Sequence, residues 1–348
     1  KRSRANKLPL TPPPGLRCRN EHPFMAYESY AEFLDALEQA GELTRITEPL
    51  ATELEITELA DREMKKPGGG QALLIEQPTV NGRVSPHPVA INMMGSVMRV
   101  AMALGAESVD AVAAELGSLI QAKPPTGIRE TLALLGQALT LRHAKPKRVK
   151  TGPCKEVIHR FDDPVSRTEP WPSAPNIDDP STLNPSPPSL LDLPILKCWP
   201  LDGGRFLTLP CVVTRDPDTG DRNLGLYRMQ VYDGQSTGMH WQLQKVAARH
   251  GRRYYETGER MPVAVFLGGD PVFTFCATAP LPDGLDEFLL AGYLRRKSVE
   301  LVKCETNDLE IPASADIVIE GYVDPTEPLR DEGPFGDHTG YYTLPEPY

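Results

Sequence analysis

The sequence predicts an α/β protein in two parts, an N-terminal α/β domain followed by a β-barrel or sandwich. Three observations carry this. Amphipathic helical patterns alternate with short apolar runs from Met25 to about His143. A proline-dense stretch from Asp162 to Pro200 then interrupts the pattern. Beyond it, β-prone apolar runs are separated by turn residues. The implied division is a leader at 1–24, an α/β domain at 25–145, a proline-rich linker at 146–200 and a β-rich domain at 201–348.

In chain order, Lys1 to Phe24 combines a basic cluster with Pro12-Pro13-Pro14-Gly15 and reads as a disordered leader or an appended segment, with Met25 the natural start. Ser29-Tyr30-Ala31-Glu32 has the form of a capping box. Phe33, Leu34, Leu37 and Ala40 then share a helical face until Gly41. A strand is predicted at Leu43–Ile46, a second helix at about Leu54–Lys65, and buried strands at Ala72–Ile75 and Val89–Asn92. Gly68-Gly69-Gly70 follows a helix and lacks the GxxxxGK[ST] spacing, so it reads as a helix-ending turn rather than a phosphate loop. After the linker, Phe206–Thr214, Leu224–Tyr232, Met261–Leu267 and Val272–Ala277 are β-prone. Asp286–Arg296 is predicted helical, and Ile317–Val323 a strand leading to Glu332-Gly333-Pro334-Phe335-Gly336-Asp337.

The chain has 348 residues, 40% of them hydrophobic, and a formal net charge of −10. With a pI near 5.3 it lacks the basic surface that collects nucleic-acid phosphates, so a small-molecule ligand is the better expectation. Cys18, Cys154, Cys198, Cys211, Cys276 and Cys304 are scattered, without CxxC or Cys/His clustering, and read as reduced thiols of a cytoplasmic protein. No apolar run approaches the roughly 20 residues of a membrane helix.

Three constellations could carry chemistry. Arg228, at the end of Asn223-Leu224-Gly225-Leu226-Tyr227-Arg228, is either an exposed strand arginine or a planar fork for a carboxylate. Alternation places it on the face opposite Asn223 unless a bulge or the turn at Gly225 re-aims it. Glu332 to Asp337 packs two glycines and a proline between two acids. That is either a solvated turn or a tight loop that separates the two pKa values into an acid and a base. Glu327 competes as a partner but reads as a surface acid. Asn223, His240, Gln244 and Glu287 offer hard donors suited to Mg²⁺, Mn²⁺ or K⁺ rather than zinc, although His240 reads equally as a packed histidine. No GxSxG elbow supports a hydrolase.

The chain resembles the UbiD family of prenylated-flavin-dependent decarboxylases along most of its length. The resemblance runs through Met25–Ile46, Ile91–Ser96, Leu193–Leu196, Arg205–Pro210, Asn223–Arg228, Gly238–Gln242, Leu285–Glu287, Ala291-Gly292 and Glu332–Tyr342. It implies a flavin-reductase-like split β-barrel after the α/β domain. It also implies reversible, non-oxidative decarboxylation of an aromatic or α,β-unsaturated acid, with prenylated FMN as electron sink. Arg228 would bind the substrate carboxylate, Glu332 would pair with it, and Asp337 would return the proton. Asn223, Gly225, Leu226, Tyr227, Arg228, Gln244, Ala277, Thr278 and Glu287 would bind the cofactor, with Asn223, Gln244 and Glu287 holding Mn²⁺ (or Mg²⁺), accompanied by K⁺. A UbiX-type prenylated-flavin synthase would supply the cofactor, and the protein would be a homo-oligomer.

Two departures from the family pattern stand out. Gln244 occupies a metal position where relatives carry histidine, so the cation would be held more weakly, or His240 would substitute. The family continues past Tyr348 into a C-terminal α/β domain absent from this chain. These departures give an alternative, a catalytically incompetent flavin-binding split-barrel protein. A third reading, an FMN-dependent reductase, leaves Arg228, Glu332 and Asp337 without a purpose.

Overall fold

The computed structural model describes residues 26–120, 141–159, 189–282 and 284–348. The expected leader at 1–24 and most of the proline-dense stretch lie outside the described residues.

Helix Tyr30–Gln39 starts where the capping pattern predicts, with Ser29 Oγ accepting from Glu32 N at 3.2 Å. The box is half formed, because the Glu32 carboxylate accepts from Glu28 N (2.7 Å) rather than from Ser29. The helix buries Phe33 and Leu37, and Gly41, at φ +72°, turns the chain into strand Leu43–Ile46. That strand pairs parallel with Ala72–Ile75, which pairs antiparallel with Val89–Ile91. Period-2 alternation sends Leu74 to one face, against Phe33, Leu37 and Met93, and Leu73 and Ile75 to the other, against Ile56. The sheet is therefore covered on both faces, an α/β layer as the sequence predicts. At Gly69 and Gly70 the inward-facing groups are carbonyls, which accept from Arg99 (2.5 Å to Gly70) and from Asn92 (2.9 Å to Gly69). A phosphate loop would present N–H groups instead.

Part of the stretch predicted as linker is built into the fold. Lys147–Val149 forms a strand parallel to Glu300–Val302, and Leu196 bridges to Phe206.

Beyond residue 200 an antiparallel four-stranded sheet runs in the order Arg222–Leu226, Cys211–Arg215, Met261–Leu267, Ile317–Val323. Alternation divides its core. Val213, Ala264 and Phe266 pack with Phe273 and Phe288, whereas Val212, Val263 and Val265 pack with Tyr227, Met229 and Ala247. Thr237–Met239, Met229–Val231 and Phe206–Leu207 form a separate three-stranded sheet. No closed barrel forms among the described residues.

Three β-prone runs behave differently from expectation. Val272–Cys276 is helical, because Gly268 and Gly269 (φ +75° and +78°) end the preceding strand and Asp270 accepts from Val272 N at 2.9 Å. Phe206–Thr214 is interrupted before Cys211, where Pro210 has no N–H for a ladder. Leu224–Tyr232 splits at Tyr227 and Arg228 into strands of different sheets.

Candidate active site

That split decides where Arg228 points. The residue lies between the two strands rather than within one, so alternation from Asn223 no longer binds it. The pairing Met229↔Met239 continues as His240 N donating to Arg228 O at 3.0 Å, which sets His240 beside Arg228.

Glu332 arrives from strand Asp331–Glu332, paired with Glu346–Pro347, and is 0% exposed. Arg228 grips it with two parallel bonds, Nε to Oε1 at 2.8 Å and Nη2 to Oε2 at 2.9 Å. Nη2 also donates to Thr343 Oγ1 at 3.2 Å, and the guanidinium carbon sits 4.2 Å from the centroid of the Phe335 ring. Among the described residues, Nη1 donates to none. His240 Nδ1 lies 3.0 Å from Glu332 Oε2 and 3.2 Å from Arg228 Nη2. A carboxylate only accepts and a guanidinium only donates, so Nδ1 carries the proton and donates to Glu332. Its other nitrogen faces the Tyr348 hydroxyl at 3.4 Å. Burial acts to raise the pKa of Glu332, but the bonds from His240 and Arg228 outweigh it and hold the carboxyl below its ordinary 4.5. The pair is thus ionised and held in one geometry.

A second group forms where strand Arg222–Leu226 meets helix Glu287–Arg295. Asn223 and Glu287 are both buried; Glu287 Oε2 accepts from Leu224 N at 2.8 Å, and Asn223 Nδ2 lies 3.4 Å from Tyr227 Oη. Arg222 staples the two elements through Asp286 (Nη2 to Oδ2, 2.5 Å). Gly225 is required by this packing, since a Cβ there would strike the Tyr227 ring. Ala277 shares the hydrophobic cluster of Leu224, while Thr278 is exposed and donates to Phe275 O at 2.8 Å. Burial pushes the Glu287 pKa from 4.5 up to about 7. A hard cation beside it would lower that pKa again. Metal-free protein is therefore expected to lose stability as pH rises from 4.5 to about 7, because the folded state holds a proton the unfolded chain releases. Glu287→Gln should flatten this trend in pH-dependent thermal melts.

The remaining candidates stand apart. Gln244 is exposed, its amide bonded to Gln242 Oε1 at 2.8 Å. Among the described residues no group of three or more His, Cys, Asp or Glu could hold a metal. Asp337 bonds to His338 (3.1 Å) and Thr339 N (3.3 Å), with no bond to Arg228 or Glu332 among the described residues. Burial acts to raise its pKa, yet the Thr339 and His338 bonds keep it below 3.8. Glu327 is exposed in a turn. His240 faces Glu332 rather than Asn223, a role that sequence reasoning missed, as it did Thr343 and Phe335. The Asp233-Gly234 pair would not have supplied this, since a two-residue turn there sets Met239 opposite Arg228, whereas the chain pairs Tyr232 with Ser236 through a longer loop and so brings His240 opposite Arg228.

Residues 34–120 match the 3-octaprenyl-4-hydroxybenzoate carboxy-lyase N-terminal domain, and residues 175–348 its Rift-related domain. Uncharacterised proteins of Archaeoglobus fulgidus (42% identity, 93% of this chain) and Aquifex aeolicus (44%, 92%) are similar; the chain spans 60% of the length of each. The UbiD-class enzyme HmfF from Pelotomaculum thermopropionicum, solved with FMN, superposes with TM-score 0.70 at 26% identity over 92% of this chain and 60% of its own. An evolved dimeric form of HmfF, solved with prFMN, gives TM-score 0.72 at 26% identity, over 92% of this chain and 63% of that one. Sedimentibacter hydroxybenzoicus vanillic acid decarboxylase shares the fold at 24% identity, with TM-score 0.71 and coverage of 92% and 60%. Both halves of the chain thus match one family, and the protein belongs to the UbiD family.

Proposed function

We propose that the protein is a reversible, non-oxidative decarboxylase of an aromatic or α,β-unsaturated carboxylic acid, working with prenylated FMN. The observation that carries this reading is the buried Arg228–Glu332 pair with Arg228 Nη1 uncommitted among the described residues. A planar, permanently charged fork already fixed on one side is preorganised to take a carboxylate on the other. The flavin is supported by HmfF, solved with FMN and with prFMN. When bound, prenylated FMN supplies the sink for the electron pair left as CO₂ departs.

In this reading Arg228 binds the acid and Glu332 keeps the guanidinium in place. Asp337, with a side chain 24% exposed, would take a proton from solvent and return it to the carbon that lost CO₂, which requires bound substrate and cofactor to raise the pKa that Thr339 and His338 hold below 3.8. Asn223 and Glu287 would hold Mn²⁺ or Mg²⁺, accompanied by K⁺, to neutralise the cofactor's phosphate charge, and Gln244 would join them only if its loop moved. Gly225, Leu226, Tyr227, Ala277 and Thr278 would line the cofactor. The four-stranded and three-stranded sheets are the two halves of a split barrel. A UbiX-type synthase supplies the cofactor to a homo-oligomer.

The test is co-expression with a prenylated-flavin synthase, followed by the absorbance spectrum and CO₂ release from a panel of aromatic and unsaturated acids. Cofactor uptake with release from at least one acid is expected. Uptake without release from any acid would favour a binding-only protein, the alternative to which the exposed Gln244 lends weight. A plain FMN spectrum with NAD(P)H oxidation would favour a reductase.

A further inference from the structure

We infer that Asp202 is a positioning residue that aims the Glu332–Asp337 loop at Arg228. Asp202 is 6% exposed, and both its carboxylate oxygens are used. Oδ1 accepts from Gly336 N at 2.7 Å, and Oδ2 accepts from Trp199 N at 2.9 Å. The neighbouring residue continues the seam, with Gly203 N donating to Pro334 O at 2.7 Å. From the strand that follows Arg228, Gln230 Oε1 accepts from Gly333 N at 2.7 Å. Close approach is built into the backbone: a Cβ on Gly203 would strike Gly333 O, and one on Gly336 would strike the Trp199 ring. Gly333 itself sits at φ +102°, where a side chain would be strained.

Three successive points of the loop, Gly333, Pro334 and Gly336, are thus pinned from outside, between Glu332 at one end and Asp337 at the other. Phe335 is carried with them, its ring edge-on to Phe206 at 4.8 Å and beneath the Arg228 guanidinium. Asp202 contributes a buried carboxylate to this seam, and a carboxylate accepting two main-chain N–H bonds holds more firmly than a neutral acceptor. Asp202 touches neither Arg228 nor Glu332 through a hydrogen bond, so it acts through the loop.

The effect on turnover rests on the decarboxylase reading, but the restraint on the loop does not. The test therefore has two readouts on the intact, cofactor-loaded protein. By hydrogen–deuterium exchange, Asp202→Ala should speed exchange across 332–337 by about 10- to 100-fold, the equivalent of a lost charge-assisted bond, with Asp202→Asn intermediate because it keeps one acceptor. By kinetics, Asp202→Ala should lower kcat about tenfold or more while KM for the acid moves less than about threefold, since a loop displaced from its productive geometry costs turnover first. Leu37→Ala, in the core under the N-terminal sheet, is the control for general destabilisation and should leave exchange across 332–337 unchanged. Unchanged exchange in Asp202→Ala, or equal acceleration in Leu37→Ala, overturns the positioning role. Local acceleration in a protein that releases CO₂ from no acid keeps the positioning role and overturns the decarboxylase reading instead.

Discussion

Glu332→Gln is expected to lower decarboxylation by about 10²- to 10⁴-fold while leaving flavin bound, as read from CO₂ release and the absorbance spectrum of the same sample. The substitution keeps the volume of the side chain, which is 0% exposed, and removes only its charge and one acceptor. Arg228 Nε and Nη2 and His240 Nδ1 all point donors at this carboxylate. A glutamine amide presents its own N–H groups to at least one of them, so a donor meets a donor and the fork turns. The lost charge-assisted bonds also carry about 1.5–3 kcal/mol of stability, so a melt must accompany the assay. Its pH dependence has a definite sign. The folded pKa of Glu332 lies below the ordinary 4.5, so its contribution is present above about pH 4.5 and fades as pH falls through the lower, folded value. Turnover within threefold of wild type, with flavin bound, would remove Glu332 from the proposed machinery.

The legible part of this site was local in sequence. Glu332 to Asp337 announced itself through two glycines and a proline between two acids, and Asn223 to Arg228 through its own composition. What joined them was not legible in pattern or spacing and came only from the family resemblance, since Arg228 and Glu332 are 104 residues apart and meet only because the chain changes sheets after Leu226. The same limit applies to the helices. Tyr30–Gln39 is fixed by a cap and a 3.6-residue stripe within ten residues, so the pattern sufficed. Val272–Cys276 is a five-residue helix of β-prone side chains, decided by the Gly-Gly-Asp-Pro before it. Propensity lost there to turn chemistry. Asp202 escaped notice for a related reason: its partners are main-chain amides of a distant loop, which leave no mark in side-chain pattern.

The largest loss of stability is expected from Asp270→Asn, about 3–5 kcal/mol. Arg295 Nε donates to Asp270 Oδ2 at 2.6 Å, with side-chain exposures of only 6% and 1%. Burial raises the pKa of Asp270 even against the arginine, so the pair gains little over apolar packing. Removing one partner is another matter, because a guanidinium cannot shed its proton and would stay buried without its counter-ion. The pair also ties three elements together. Asp270 accepts from Val272 N at the start of helix Val272–Cys276, Arg295 ends helix Glu287–Arg295, and its Nη2 reaches Tyr27 O at 3.2 Å. The exposed pair Arg62–Glu58, at 69% and 55%, offers the contrast, since Glu58→Gln should cost no more than about 0.5 kcal/mol. Denaturant melts of both variants check the difference. Asp270→Leu combined with Arg295→Met should recover most of the loss, because it replaces the ions by apolar volume instead of stranding one of them. An Asp270→Asn cost below about 1 kcal/mol would mean that water reaches Arg295 and that this junction is looser than its packing indicates.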